Sequence, residues 1–382
     1  MSANKASEVV DKDRRSFLQT GLTVAAATAA SGLLVRGTSA LAQGQSGSGG
    51  GALTAGDVAI LRFLAAGEAL EADFYAQYNE LGGIHDSEVP VGHGNRTYTE
   101  RLREIDSNIP QYIHDVADDE TSHRNFLNAY LVSKGAEPVD MEPFRTLQGS
   151  VAAGSSGGLR LTNLLQLTID TSWWTRYRSS TNNPDVNPTA FEQAVPDLHN
   201  GKFAAIPLTD GDLFPHEHIQ AIANTAAFHI PTVEQGGGSL RLAMAQRVTS
   251  VEVLRLLISM GPIELMHFQT FSLTAGRVRP LTDPTNGLTF PDLNSGKDPN
   301  SGSKGDGVRE MFQTNLILPE PCPFISTSLP ACSVVRPTNT TGVAKGALKF
   351  LTAMGLFIGQ SPEFFSFLTD LAEAADAAQR ET

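Results

Sequence analysis

Cysteine is nearly missing from this chain: 382 residues hold two, Cys322 and Cys332. That excludes a disulfide scaffold and a cysteine-rich zinc site. Positive charge is short as well. Lys and Arg total 28 against 41 Asp and Glu, a formal net charge of −13, which argues against nucleic acid as a partner. No stretch reads as a permanent membrane span. The longest weakly apolar run, from Leu18 to Val35, is rich in Ala, Thr, Ser and Gly and too polar to stay in a bilayer. Alternating apolar and polar residues, the mark of strands, form no convincing run. What is present is a hydrophobic content of 41%, enough for a substantial core. The 35 glycines and 21 prolines cluster in long irregular connections.

The first 42 residues read as an address. "DRRSFLQTG" sets Arg14 and Arg15 before Phe17 and Leu18, and it resembles a twin-arginine export signal. Ala40-Leu41-Ala42 is a small-x-small cleavage site. The expectation is a signal peptide over 1–42, read by the twin-arginine export machinery and cut near Gln43. The mature chain would then be periplasmic or extracellular. Residues 43–56, including "GQSGSGGG", form a flexible linker.

Helical spacing organises the rest. Leu61, Leu64, Ala65, Ala72 and Tyr75 predict a first helix over 57–81, stopped by Gly82-Gly83. A second is predicted over 111–134, a third over 159–178 and a fourth long helical region over 240–275 with Pro262 inside it. A polar, proline-spotted insertion is expected over about 179–239, with a short helix at 218–229. Residues 277–342 read as irregular coil, including "DPNSGSKGD", which lacks calcium-loop spacing. Residues 343–382 read as closing helices split near Gly359. The fold class is all-α: a four-helix bundle over 57–276 with long loop insertions, followed by C-terminal helices packing on it.

Two helices carry the same intrusion. The second has the stripe Ile113, Val116, Glu120, His123, Leu127, Tyr130; the fourth has Leu257, Met260, Glu264, His267, Phe271. In each, Glu-x-x-His occupies positions where core residues belong. A buried carboxylate costs several kcal/mol unless something pairs with it. The first helix offers Glu68 with Tyr75 seven residues on, and the third offers Asp170 with Tyr177 seven residues on. Four carboxylates and two histidines facing one another can hold two metal ions, the ligand set of a di-iron carboxylate bundle. Oxygen-rich sites with one imidazole per ion suit iron or manganese. Tyr75 and Tyr177 are then expected to hydrogen-bond to ligand carboxylates. The competing reading is a metal-free buried hydrogen-bond network of the same six residues.

"LAAGEALEADFY", "DETSHRNFL", "LTIDTSWWTRY" and "IELMHFQTF" together resemble the ferritin-like superfamily, and within it exported ferritin-like-domain proteins related to plant desiccation-associated proteins. The resemblance implies a four-helix bundle with a dinuclear site made by Glu68, Glu120, His123, Asp170, Glu264 and His267. It favours Glu68 over Glu71, because the ferritin and rubrerythrin pattern also has Tyr seven residues after the ligand. Asp170 stands where the superfamily usually has Glu; being shorter, it leaves one ion or an asymmetric pair open. Two functions follow: an oxidoreductase reacting with oxygen or peroxide in stress protection, or a non-enzymatic envelope or desiccation-stress protein with structural or absent metal. "HEH" at 216–218 reads as a solvated loop, Trp173 and Trp174 as core packing. In an oxidising compartment Cys322 and Cys332 are expected to pair.

Overall fold

Thr54 opens the first helix by accepting a hydrogen bond from the Asp57 amide at 3.1 Å, which supplies one orphan donor of the first turn with a partner. The computed structural model describes residues 52–85, 94–176, 191–293, 317–320, 326, 328, 332–335 and 341–381. Helix α1 (Ala55–Gly82) is buried on nearly all sides, which marks it as the central rod of the bundle. A short helix α2 (Arg96–Ile105) follows, capped by Asn95, and then α3 (Ile109–Ser133). After a run of irregular chain come the small helices α4 (Ser172–Arg176) and α5 (Pro196–Asn200). The long helices α6 (His216–Ala245) and α7 (Val251–Ala275) complete the bundle. The C-terminal helices are α8 (Val343–Met354) and α9 (Pro362–Ala377).

Four long helices pack as two pairs, α1 with α3 and α6 with α7. Helix α9 covers α1 on a further side and packs on α8, which also touches α6. Among the described residues strands are confined to three two-stranded antiparallel pairs: β1 (Leu147–Gln148) with β2 (Leu159–Arg160), β3 (Leu281–Thr282) with β4 (Thr289–Phe290), and β5 (Ile317–Glu320) with β6 (Cys332–Val335). The molecule is therefore mostly helical, an all-α bundle. Among the described residues no helix is long and apolar enough to cross a membrane.

The third bundle helix is not where the sequence pattern puts it. Residues 159–171 run extended and are held by backbone hydrogen bonds: Leu167 pairs with Phe203, the Ile169 amide donates to the Leu198 carbonyl, and the Thr168 amide donates to the Met354 carbonyl. Leu161, Leu164, Leu167 and Ile169 are fully buried; their spacing imitates a helical stripe over part of its length. The buried carboxylate of Asp73 on α1 fixes the entry to this segment by accepting from the Leu161 and Thr162 amides, each at 2.9 Å. The expected insertion over 179–239 is likewise corrected. Its second half, together with residues 240–245, is α6. Pro231 and Gly236-Gly237-Gly238 all lie inside that helix. Proline and a glycine run disfavour a helix interior, and burial of α6 on α7 overrides that preference. The predicted fourth helical region is thus the end of α6, a short link and α7, which Ser250 caps by accepting from the Val253 amide. Helix α2 occupies part of the stretch between the first two predicted helices. Residues 1–51, Tyr177 and Cys322 lie outside the described residues, and so do the signal peptide and the disulfide expectation.

Candidate metal centre

Each of the four long helices delivers buried acid to one place. Helix α1 brings Glu68 and Glu71, α3 brings Glu120, α6 brings Glu234 and α7 brings Glu264; Glu68, Glu120, Glu234 and Glu264 are each at most 1% exposed. His123 and His267 lie one turn beyond Glu120 and Glu264 on the same faces. Two nests of donor atoms result. One comprises Glu68, Glu120, His123 and Glu264, the other Glu120, Glu234, Glu264 and His267; within each, the donor atoms lie within 4.8 Å of one another. Glu120 and Glu264 belong to both nests.

The donor atoms point inward. His123 Nδ1 lies 3.4 Å from Glu120 Oε2 and 3.6 Å from both Glu68 Oε2 and Glu264 Oε1. His267 Nδ1 lies 3.2 Å from Glu120 Oε1 and 3.4 Å from Glu234 Oε2. Outside the nests, His267 Nε2 lies 3.0 Å from Asp119 Oδ2, which orients the ring and favours a free Nδ1. Tyr75 donates its hydroxyl to Glu234 Oε1. Arg241, one further pair of turns along α6 from Glu234, reaches in with its Nη2. It donates to Glu68 Oε1 at 2.6 Å and Glu71 Oε2 at 3.0 Å, and stands 3.1 Å from Glu264 Oε1. Gly237 leaves it room: a Cβ there would lie 2.9 Å from Arg241 Nη1 and 3.0 Å from Glu264 Oε2.

Charge crowding sets the proton affinities. Burial pushes Glu71 and Glu264 well above the usual carboxylate range in spite of Arg241. Burial and the neighbouring Glu68 raise Glu120. For Glu68 burial works upward too, but Arg241 and His123 outweigh it and hold the carboxyl near 2. Burial opposes charge on His123, yet Glu120 and Glu68 raise it to about 10. His267 is raised against burial by Glu234, Asp119 and Glu120. Protons and one guanidinium thus hold together an assembly of carboxylates that would otherwise repel.

Comparison with known protein families matches residues 56–276 to the ferritin-like domain. The chain belongs to the ferritin-like family. No curated protein and no solved structure matches it. The match spans α1 through α7, so the ferritin-like domain of this chain includes the extended segment before α6 as well as the four long helices.

Five of the six residues singled out from the sequence converge in this ferritin-like bundle: Glu68, Glu120, His123, Glu264 and His267. Asp170 does not join them. It sits at the start of α4, where Oδ1 accepts from the Ser172 amide at 2.9 Å and from Gln193 Nε2 at 2.8 Å. Glu234 takes the place expected of it. A signal for Glu234 existed in the sequence: Glu234, Gly237, Arg241 and Ala245 follow the three-and-four spacing of a buried face, but the glycine run within them reads as loop. Glu71 also reaches the centre, through Arg241. Tyr75 holds a nest carboxylate; Tyr177 lies outside the described residues. Trp173 and Trp174 are buried in the core, with Trp173 Nε1 donating to Thr232 Oγ1 at 2.8 Å. His216 and His218 open α6, and His218 Nδ1 lies 2.7 Å from Asp283 Oδ2.

The donor set is one that could hold metal. Glu68 Oε2, both oxygens of Glu120 and of Glu264, Glu234 Oε2, His123 Nδ1 and His267 Nδ1 are all buried and make no hydrogen bond. Buried polar atoms left so are rare in native proteins. Here they face one another, with a glutamate from each of two helices and Glu-x-x-His from each of the other two, the arrangement of dinuclear carboxylate bundles. The buried acid and histidine cluster is compatible with a metal site.

Proposed function

We propose that this protein holds two iron or manganese ions between its four long helices and acts as an oxidoreductase toward oxygen or peroxide. The observation that carries the reading is the convergence of eight buried donor atoms that make no hydrogen bond on two nests that share Glu120 and Glu264. One imidazole and three carboxylates per nest suit iron or manganese better than softer metals. When bound, such ions supply the redox equivalents that reduce oxygen or peroxide. The chain's own residues hold, orient and shield. Asp119 fixes the His267 ring, and Tyr75 donates to the outer oxygen of Glu234, leaving Oε2 directed inward. Burial of the nests excludes bulk water, which strengthens every charge interaction inside them.

Residues 1–42 belong to the same proposal as a twin-arginine signal that delivers the chain outside the cytoplasm. That route carries proteins already folded, so the centre would be loaded before export. N-terminal sequencing of secreted protein, expected to begin near Gln43, tests this part.

The test of the centre is metal content together with peroxide or oxygen consumption, for wild type and for the His123→Ala/His267→Ala double variant. Wild type supplied with Fe(II) or Mn(II) is expected to hold about two ions per chain and to consume oxidant. The double variant is expected to do neither while remaining helical, because its helices bury their apolar faces as before. Wild type that binds neither metal, or binds one and reacts with neither oxidant, ends the proposal.

A further inference from the structure

A cavity of about 520 Å³ lies beside the candidate centre, between α1, α6, α8 and the start of α9's approach. Its volume is in the range of roughly 300–1,000 Å³ typical of small-molecule sites. The walls are largely apolar, with Phe63, Leu64, Phe74, Phe350, Leu351 and Phe357 among the lining side chains. Glycines from three helices shape the space. A Cβ added at Gly67 on α1, Gly236 on α6 or Gly346 on α8 would meet nothing within 4 Å. Glycine in a helix interior costs about 0.5–1 kcal/mol relative to alanine, and here that cost leaves open volume rather than a close helix contact.

The polar side chains of the lining are Glu71, Gln235, Ser239, Arg241 and Thr341. Of these, Glu71 and Arg241 are paired with each other at 3.0 Å. Arg241 is 3% exposed, and its Nε makes no hydrogen bond. Gly237, also in the lining, is what keeps this pair uncovered: its Cβ would stand against Arg241, Glu264 and Glu71 at once. A molecule in the cavity therefore meets hydrocarbon over most of its length, with a donor and an acceptor side by side at its polar end.

We infer that this cavity binds a single-chain apolar molecule with an uncharged hydrogen-bonding head, of the long-chain alcohol class. The head group follows from how Arg241 is used. An anionic head would compete for a guanidinium whose Nη2 is already shared by Glu68, Glu71 and Glu264. A cationic head would face the guanidinium. A hydroxyl accepts from Arg241 and donates to Glu71, so it satisfies both without adding charge to a desolvated site. The inference stands on the cavity and its polar end, and it holds whether or not the nests bind metal; if they do, the head group lies one side chain from them.

Titration calorimetry with dodecan-1-ol below its solubility limit, and with dodecanoate and dodecyltrimethylammonium below their micelle concentrations, tests the inference on full-length protein. Dodecan-1-ol is expected to bind tightest. Gly346→Leu, on α8, which supplies no nest residue, is expected to fill the cavity and weaken that binding at least roughly tenfold, with metal content per chain unchanged. Gly67→Leu, on a different helix, is the second variant, read for alcohol binding alone because Glu68 follows it in the chain. Absence of binding by all three probes to wild type overturns the inference, as does either charged probe binding as tightly as the alcohol. Undiminished binding to both leucine variants overturns it too. Metal content measured on the same samples separates the two proposals: binding of alcohol without metal ends the oxidoreductase reading alone, and metal without alcohol binding ends this one alone.

Discussion

His229 is fully buried on α6, with Nδ1 2.8 Å from the Tyr78 hydroxyl and Nε2 making no hydrogen bond. Burial pulls its imidazole down to about 3. In the unfolded chain the same ring titrates near 6.5. Below that pH the unfolded state binds a proton that the folded state refuses, so stability falls as pH drops from about 6.5 toward 3, by up to about 1.4 kcal/mol per pH unit. Carboxylates titrate in part of that window, so the comparison is with His229→Gln. Its stability, from urea unfolding at pH 7 and pH 5, is expected to depend on pH less steeply than that of wild type. Two acids make a sharper pair. Glu234→Gln is expected to lower metal affinity at least about tenfold, while Asp170→Asn leaves metal content as it is; metal titration followed by elemental analysis reads both. Equal loss in the two variants would restore Asp170 to the centre. The difference between these residues shows what a stripe can and cannot tell. Glu120, His123, Glu264 and His267 are legible because each intrudes on an uninterrupted apolar face. Asp170 looks the same in sequence, yet its segment is held extended by partners from residues 198, 203 and 354, which no local pattern contains.

At the scale of elements, the long helices α1 and α3 follow their apolar spacing, and α6 does not announce itself. Pro231 and three successive glycines break the local preference, and only the buried face shared with α7 makes the helix worthwhile. The link between α6 and α7 is fixed from a distance. Asp57, on the first turn of α1, accepts from the Thr249 amide at 2.8 Å and from the Ser250 amide at 3.0 Å, just ahead of α7. Asp57→Ala strips both amides of their acceptor in a partly buried setting and is expected to cost about 1–3 kcal/mol. The check is a lower urea midpoint with an unchanged slope. A change under about 0.5 kcal/mol, the usual range for inconsequential substitutions, would mean water replaces the carboxylate without loss.

For the whole molecule, a metal held between four helices stabilises the folded state by mass action. Free metal at roughly 100 times its dissociation constant contributes about 2.7 kcal/mol. For a domain of this size that corresponds to a rise in Tm of roughly 5–10 °C. Scanning calorimetry of chelator-treated and reloaded protein is expected to show it; identical traces would mean the nests carry protons and Arg241 alone. The packing of α9 on α1 has a consequence in time. The central rod of the bundle is among the first parts of the folded region to leave the ribosome, and one of its sides is covered by residues 362–377. Arg380 donates to the Val248 carbonyl at 2.9 Å, and the Glu381 amide to Thr249 Oγ1 at 2.9 Å, so the same late residues clasp the α6–α7 link. The nascent chain can assemble its four long helices early, but the apolar side of α1 stays open to chaperones until synthesis has passed α9. Chains stalled before residue 362 are expected to be cut readily by protease within α1, and chains held on the ribosome by an added C-terminal spacer that lets residue 381 clear the exit tunnel are expected to resist.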